Sequence, residues 1–294
     1  MMQIYRLPEY LWFYCTLLWA ISLASTAHAE NNNAAPASAP LHIVTQPLEV
    51  TAQDHEIYFY KLLDLALQKT ASTHGPYQLE RYKHILSNQR YIAEVSREDG
   101  IIDVTWTMIN QEREEKLLPI KISLLRGMNS YRVFLIRAED KQQFSAIKNI
   151  EDLKQYTAGS GSAWPDTPIL LANGLPVITS AHYELLFNML ERKRFDYFPR
   201  GVYEVWTEQK VHADKGLAIE ESLMFHYPAP IYFFVNKKNT QLAQRIELGL
   251  QLAIADGSFD KLFFSTPGFE QGYKEINNKN RRVFHLKTLG DYED

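Results

Sequence analysis

The sequence predicts an α/β protein with parallel strands. Two observations carry that reading. From Leu41 onward, short apolar runs of strand character alternate with stretches whose apolar residues recur at helical spacing. A second alternating block, opened by the run Tyr131–Arg137 (YRVFLIR), follows the first, so the chain holds material for two layers.

Within the first block, Leu41-His42-Ile43-Val44 reads as a strand. Asp54 is placed to cap a helix whose apolar stripe is Phe59, Leu62, Leu63, Ala66 and Leu67, at i, i+3, i+4, i+7 and i+8. Tyr77–Tyr82 is expected as a strand, 85–96 as a helix and Ile101–Thr107 as a strand after Gly100. In the second block, Asn149 with Asp152 forms a capping-box start for a short helix. Tyr156–Ala158 leads into Gly159-Ser160-Gly161-Ser162, and Thr167-Pro168 starts a short helix that stops at Asn173-Gly174. Pro176–Thr179 is then a strand, and Tyr183–Lys193 a helix with Leu186, Met189 and Leu190 inward. Leu217–Ile219 and Ile231–Val235 are further strands. A long helix follows with Leu242, Ile246, Leu250 and Ala253 on one face, ending near Asp256-Gly257. The tail, 269–294, is polar and weakly periodic.

At 294 residues the chain is long enough for two domains of ordinary size. Its 46% apolar and 22% charged residues are those of a globular protein. The net charge is −4, with no basic stripe, which argues against a nucleic-acid partner. Arg6, the apolar run from Leu11 to Ala24 and Ala27-His28-Ala29 form the three parts of a secretory signal peptide over 1–29. An uncleaved anchor is the alternative, but the run is shorter than the ~20 apolar residues of a spanning helix. Cys15, the only cysteine, lies inside that run without the small residues a lipidation site needs. The chain beyond it has no thiol, hence no disulfide, thiolate metal site or cysteine nucleophile. Residues 30–40 (ENNNAAPASAP) read as a disordered, low-complexity linker. A bacterial periplasm is the expected location.

Three segments resemble the type II periplasmic solute-binding proteins, specifically the amino-acid-binding family: GIIDVTWTMINQERE (100–114), FSAIKNIEDLKQYTAGSGS (144–162) and LAQRIELGLQLAIADGSFDKLFF (242–264). Their order and spacing match over roughly residues 41–265. The resemblance implies two α/β lobes with a hinge of two crossing segments, near Arg126–Ser130 and His226–Pro230, that close on a ligand. It implies lobe I from 41–128 and 229–294 and lobe II from 129–228. The partner is then a small-molecule ligand, with a transporter or a membrane sensor receiving the monomeric, loaded protein. No cofactor is implied.

By the resemblance, Arg113 grips the ligand carboxylate, a task suited to a planar guanidinium. The crowding of Glu112, Glu114 and Glu115 allows a plain solvated charge run instead. Ser160, Gly161 and Ser162 end a strand before a helix and offer N–H groups to an anion, or form only a flexible turn. Trp164 is a candidate wall or lid, and Asp166 reads as a capping or turn residue. Tyr58, Trp106 and the neighbouring Thr107 lie where α/β clefts open, with burial in the core the equal alternative for the aromatic pair.

Where the family's second-lobe strand carries an aspartate for the ligand ammonium, this chain reads Asp196-Tyr-Phe-Pro-Arg200. Arg113 and Arg200 together then favour a ligand with two anionic or acceptor groups, unless Glu204 turns inward to serve the ammonium. The nine histidines show no metal-ligand spacing. Ser145-Ala-Ile-Lys148 matches S-x-x-K without its partner motifs. The expectation is a binding protein rather than an enzyme. A dehydratase-like enzyme on the same fold, with Glu204 as general acid, is the alternative.

Overall fold

The computed structural model describes residues 39–47, 54–290 and Tyr292. The expected signal peptide, and the linker up to residue 38, lie outside the described residues. Helix Asp54–Lys69 buries the anticipated stripe of Phe59, Leu62, Leu63, Ala66 and Leu67. Its partner is helix Thr240–Ala255, which buries Leu242, Ile246, Leu250 and Ala253. The two helices touch at Gly249, where a Cβ would stand 2.0 Å from the Ala66 carbonyl oxygen. Gly249→Ala is therefore expected to cost about 1–3 kcal/mol, read from the urea midpoint, because overpacking forces the helices apart.

Twelve strands are described: β1 Leu41–Thr45, β2 Tyr77–Arg81, β3 Val104–Met108, β4 Leu117–Ile120, β5 Tyr131–Arg137, β6 Ala158–Gly161, β7 Val177–Ser180, β8 Tyr197–Gly201, β9 Leu217–Ile219, β10 Leu223–His226, β11 Ile231–Asn236 and β12 Arg282–His285. They form two sheets. The first runs β2-β1-β3-β11-β4, with β1 parallel to β2 and β3 and with β11 antiparallel to β3 and β4. The second runs β12-β10-β5-β8-β6-β7, with β9 also paired to β5. In it, β6 is parallel to β7 and β8, whereas β5 is antiparallel to β8 and β10. The first sheet thus joins an early and a late part of the chain, and the second is largely inserted between them. The architecture is two-lobed α/β.

Two strands of chain cross between the sheets side by side. Residues 121–130 lead from β4 to β5 and 227–230 lead from β10 to β11. They are tied together: Tyr227 N donates to the Ser130 carbonyl at 3.0 Å, and Ala229 N to Ser130 Oγ at 3.0 Å. Arg126 and Gly127, with φ of 50° and 80°, turn the first crossing into β5.

The tail departs from the expectation that 229–294 belongs wholly to the first lobe. Helix Phe269–Glu275 packs on the second lobe, where a Cβ on Gly272 would stand 2.4 Å from the Val202 carbonyl oxygen. β12 then pairs in parallel with β10 of the second sheet. The polar look of the tail has a physical reason. Arg281, which precedes β12, is buried and donates to the carbonyls of Glu220 and Leu223 at 2.6 and 2.9 Å. Among the described residues, no helix is long and apolar enough to cross a membrane.

Candidate functional site

A cavity of about 280 Å³ lies between the lobes where the crossings meet the sheets. The first-lobe wall takes Gln46 from the end of β1, His55, Glu56 and Phe59 from the first turns of the long helix, and Trp106, Thr107 and Met108 from β3. Trp106 is held edge and face: its Nε1–H donates to Glu56 Oε2 at 2.9 Å, and its ring leans on Phe59 at 5.9 Å. These groups meet because β3 delivers its C-terminal end beside the N-terminal turns of helix Asp54–Lys69, the usual place for an α/β ligand crevice.

The second-lobe wall is built from two buried ion clusters. In the first, Arg132 of β5 donates from Nε to Asp166 Oδ1 at 3.0 Å, while its Nη2 stands 3.0 Å from the same oxygen. Its Nη1 donates to the Asn129 carbonyl. Tyr227, from the second crossing, donates its hydroxyl to Asp166 as well. Burial would raise the Asp166 carboxyl, but the Arg132 charge and the hydrogen bonds from Tyr227 and Arg132 hold it below the usual range.

The second cluster is organised by Arg200 at the end of β8. Its Nε donates to both Glu208 oxygens at 3.0 and 2.8 Å, and its Nη2 to Glu208 Oε1 at 2.6 Å. The same Nη2 lies 3.0 Å from Glu204 Oε1. Aromatic rings enclose the guanidinium, with Trp164 4.8 Å, Phe198 4.9 Å and Tyr183 5.5 Å from its carbon. Arg200 also lines the cavity.

Gly201 ends β8, just before the turn that carries Glu204. Its N–H donates to Glu204 Oε1 at 2.9 Å, and a Cβ there would stand 2.4 Å from the Tyr203 ring. The two glutamates of this cluster are pushed apart. Burial raises Glu204 to about 7, with Glu208 repelling it further and Arg200 and Arg132 drawing it back. Glu208 is held below the usual range, because Arg200 and the Tyr183 hydroxyl outweigh its burial. His55 faces this cluster from the first lobe, its Nε2 3.8 Å from Glu204 Oε2 and its ring edge-on to Tyr203 at 5.3 Å.

Of the residues singled out from sequence, Trp106, Thr107, Trp164, Arg200 and Glu204 line the cavity together. The others are placed elsewhere. Arg113 is 6% exposed and donates Nη1 to the Met108 carbonyl, so it braces the end of β3, within electrostatic reach of Asp166. Burial lowers it to about 10. Its backbone N–H is taken by the Asn110 cap of helix Gln111–Lys116, which sets the side chain toward β3. Tyr58 is core: its hydroxyl donates to the Leu124 carbonyl at 2.7 Å and its ring meets Phe269 at 4.8 Å. Ser160 Oγ accepts from the Thr167 hydroxyl at 2.8 Å, and Ser162 N–H donates to the Ser180 carbonyl at 2.9 Å. Gly161 presses on the indole of Trp164, where a Cβ would stand 2.4 Å away. The GSGS segment is thus a platform for Trp164 rather than an anion cradle.

Sequence reasoning missed Arg132, His55, Glu56, Tyr183 and Glu208, and it assigned Asp166 only to a cap. One signal was present. Arg132 stands in an otherwise apolar strand, and a buried strand rarely carries a charge without a partner.

Two sheets, two adjacent crossings and a cleft between the lobes define the fold of the type II periplasmic binding proteins. Solved structures share it. An ancestral arginine-binding protein bound to glutamine is 18% identical with a TM-score of 0.58, over 78% of this chain and 98% of that one. A periplasmic binding protein of Salmonella typhimurium with high arginine specificity is 14% identical with a TM-score of 0.57, over 77% and 99% of the two chains. A histidine kinase sensor domain similar to periplasmic binding proteins is 11% identical with a TM-score of 0.57, over 78% and 97%. No protein-family model matches the sequence, and no curated protein matches it.

Proposed function

We propose that this chain is a periplasmic solute-binding protein that captures a small zwitterionic, amino-acid-like ligand between its lobes and passes it to a membrane transporter. One observation carries the reading: the second-lobe wall sets an acceptor, Glu204, beside a donor, the Arg200 guanidinium, in a cavity walled by aromatic rings. A donor and an acceptor side by side suit a ligand carboxylate and ammonium, and the rings of Trp106 and Trp164 suit its carbon skeleton. The pairing of the arginines favours this ligand over the two-anion ligand suggested by charge pattern. Arg113 is spent on the Met108 carbonyl, and both Arg132 and Arg200 are already paired with carboxylates.

Closure is a rocking of the lobes about residues 121–130 and 227–230, with His55 meeting Glu204 and Tyr203 as the lobes approach. Capture is reversible and involves no covalent step. The neighbouring sensor domain favours a second reading of the same site, in which the loaded protein reports to a membrane receptor.

Thermal unfolding of the chain from Glu30 onward tests the capture. At ligand concentrations about 100 times Kd, an amino acid should stabilise the protein by about 2.7 kcal/mol. Stabilisation by dicarboxylates alone, or consumption of a bound amino acid, would contradict it.

A further inference from the structure

Glu208 does not itself line the cavity, yet it is fully buried at 0% exposure and takes the Nε–Nη2 edge of Arg200. It sits in helix Val205–Val211, which presents it under β8, and the Tyr183 hydroxyl donates to it at 2.7 Å from a second helix. Its geometry toward Arg200 is the bidentate fork that binds a guanidinium most firmly. Glu204, by contrast, meets Arg200 through one oxygen and lines the cavity. The cluster contains one guanidinium and two carboxylates, so with both glutamates ionised one negative charge is in surplus. Because Glu208 is the firmer partner, that surplus stands on Glu204, at the cavity wall.

We infer that Glu208 is the positioning residue that fixes which sign of charge the second lobe presents to the ligand. By cancelling Arg200 from behind, it turns a wall that contains an arginine into one that selects a cationic or ammonium group. The inference rests on the proposed capture of an amino-acid-like ligand and names the source of its charge preference. Stability alone does not require a buried ion pair here. Apolar side chains of similar volume serve as well or better in such surroundings, and the rings of Trp164, Phe198 and Tyr183 already supply them. Without Glu208, Arg200 has only Glu204 to pair with. The surplus vanishes, and Nη1 becomes part of a wall with no net preference for cations.

The test compares L-arginine with L-glutamate by titration calorimetry on the wild type and Glu208→Gln. The wild type should prefer arginine, and the ratio of the two dissociation constants should move toward glutamate by about tenfold or more in the variant. Equal weakening of both ligands would mark Glu208 as merely structural and overturn the inference. The double variant Arg200→Gln/Glu208→Gln removes the buried pair together and guards against a single variant that fails to fold. With nothing left to cancel, it should return the ratio toward arginine, and a ratio still moved toward glutamate would overturn the inference equally.

A ligand-free measurement separates this role from the capture reading. The Glu204 carboxyl faces Glu208 and Arg200, Arg132 of β5, Tyr203, and His55 with Glu56 from the first lobe. Its titration, followed by carbon-detected NMR, should move to lower pH in Glu208→Gln, since a repelling neighbour is lost and Arg200 is freed for Glu204. An unmoved midpoint would overturn the positioning role. A moved midpoint in a protein that binds neither amino acid would leave that role standing and sink the amino-acid reading instead.

Discussion

Replacing Arg200 by methionine is expected to lower the stability of the protein by about 3–5 kcal/mol, because it leaves the fully buried Glu208 without its partner. The Coulomb energy lost is smaller than the desolvation penalty left behind. Two observations make this site costly. Glu208 receives three of its four hydrogen bonds from Arg200 and the fourth from Tyr183, and the rings around the guanidinium leave little room for water to take over. Arg200→Met/Glu208→Leu should recover most of the loss, since both charges then disappear together. Urea unfolding of the single and double variants checks both statements. A single-variant loss under about 1 kcal/mol, the range of an exposed pair, would show that the cluster is solvated and not buried.

Glu204→Gln is expected to abolish most of the affinity for a cationic ligand and to change how the protein responds to pH. Loss of a charge-assisted hydrogen bond to the ligand costs about 1.5–3 kcal/mol, or roughly tenfold to a hundredfold in Kd. The sign of the pH effect follows from the raised carboxyl. Glu204 has an ordinary value of 4.5 and is pushed up to about 7 in the folded protein. A raised folded value means that its contribution to stability is fully present below 4.5 and is lost as the pH rises through about 7. The glutamine variant has no such loss. Its melting temperature relative to wild type should therefore climb across that window and level off above it. Asp166 and Glu208, which are held low, act in the opposite sense on acidification but do so equally in both proteins. Arginine affinity of the wild type should rise across the same window, as Glu204 ionises, and stay flat in Glu204→Gln. A wild-type affinity independent of pH would contradict the assignment.

Much of the fold was legible because apolar strands and helical stripes leave a period in the sequence. YRVFLIR became β5 residue for residue, the capping box of Asn149 and Asp152 starts helix Ile150–Leu153, and the stripe of Phe59 to Leu67 is buried as expected. The tail was not legible, since β12 is short and its Arg281 and Arg282 find carbonyl partners far back in the chain, at Glu220 and Leu223 for the first and Ile147 for the second. In the site, Arg200 and Glu204 could be singled out because they interrupt an aromatic stretch. Glu208 could not: in VWTEQKV it looks like the solvent-facing glutamate of any amphipathic helix. Its burial comes from Arg200 on one side and Tyr183, from a distant helix, on the other. The contact made by Arg113 was hidden for a related reason. The motif gave its position on the chain, but the Asn110 cap decides which way the side chain turns.

In the proposed function, the interlobe cavity holds an amino-acid-like zwitterion against Glu204 and Arg200. Native mass spectrometry of the wild type and Glu204→Gln, each equilibrated with a mixture of the proteinogenic amino acids and then desalted, tests it most directly. The wild type should retain one added mass equal to an intact amino acid, and the variant should lose it. A wild type that emerges free of any amino acid, or a variant that retains the same mass equally well, would contradict the assignment of this cavity.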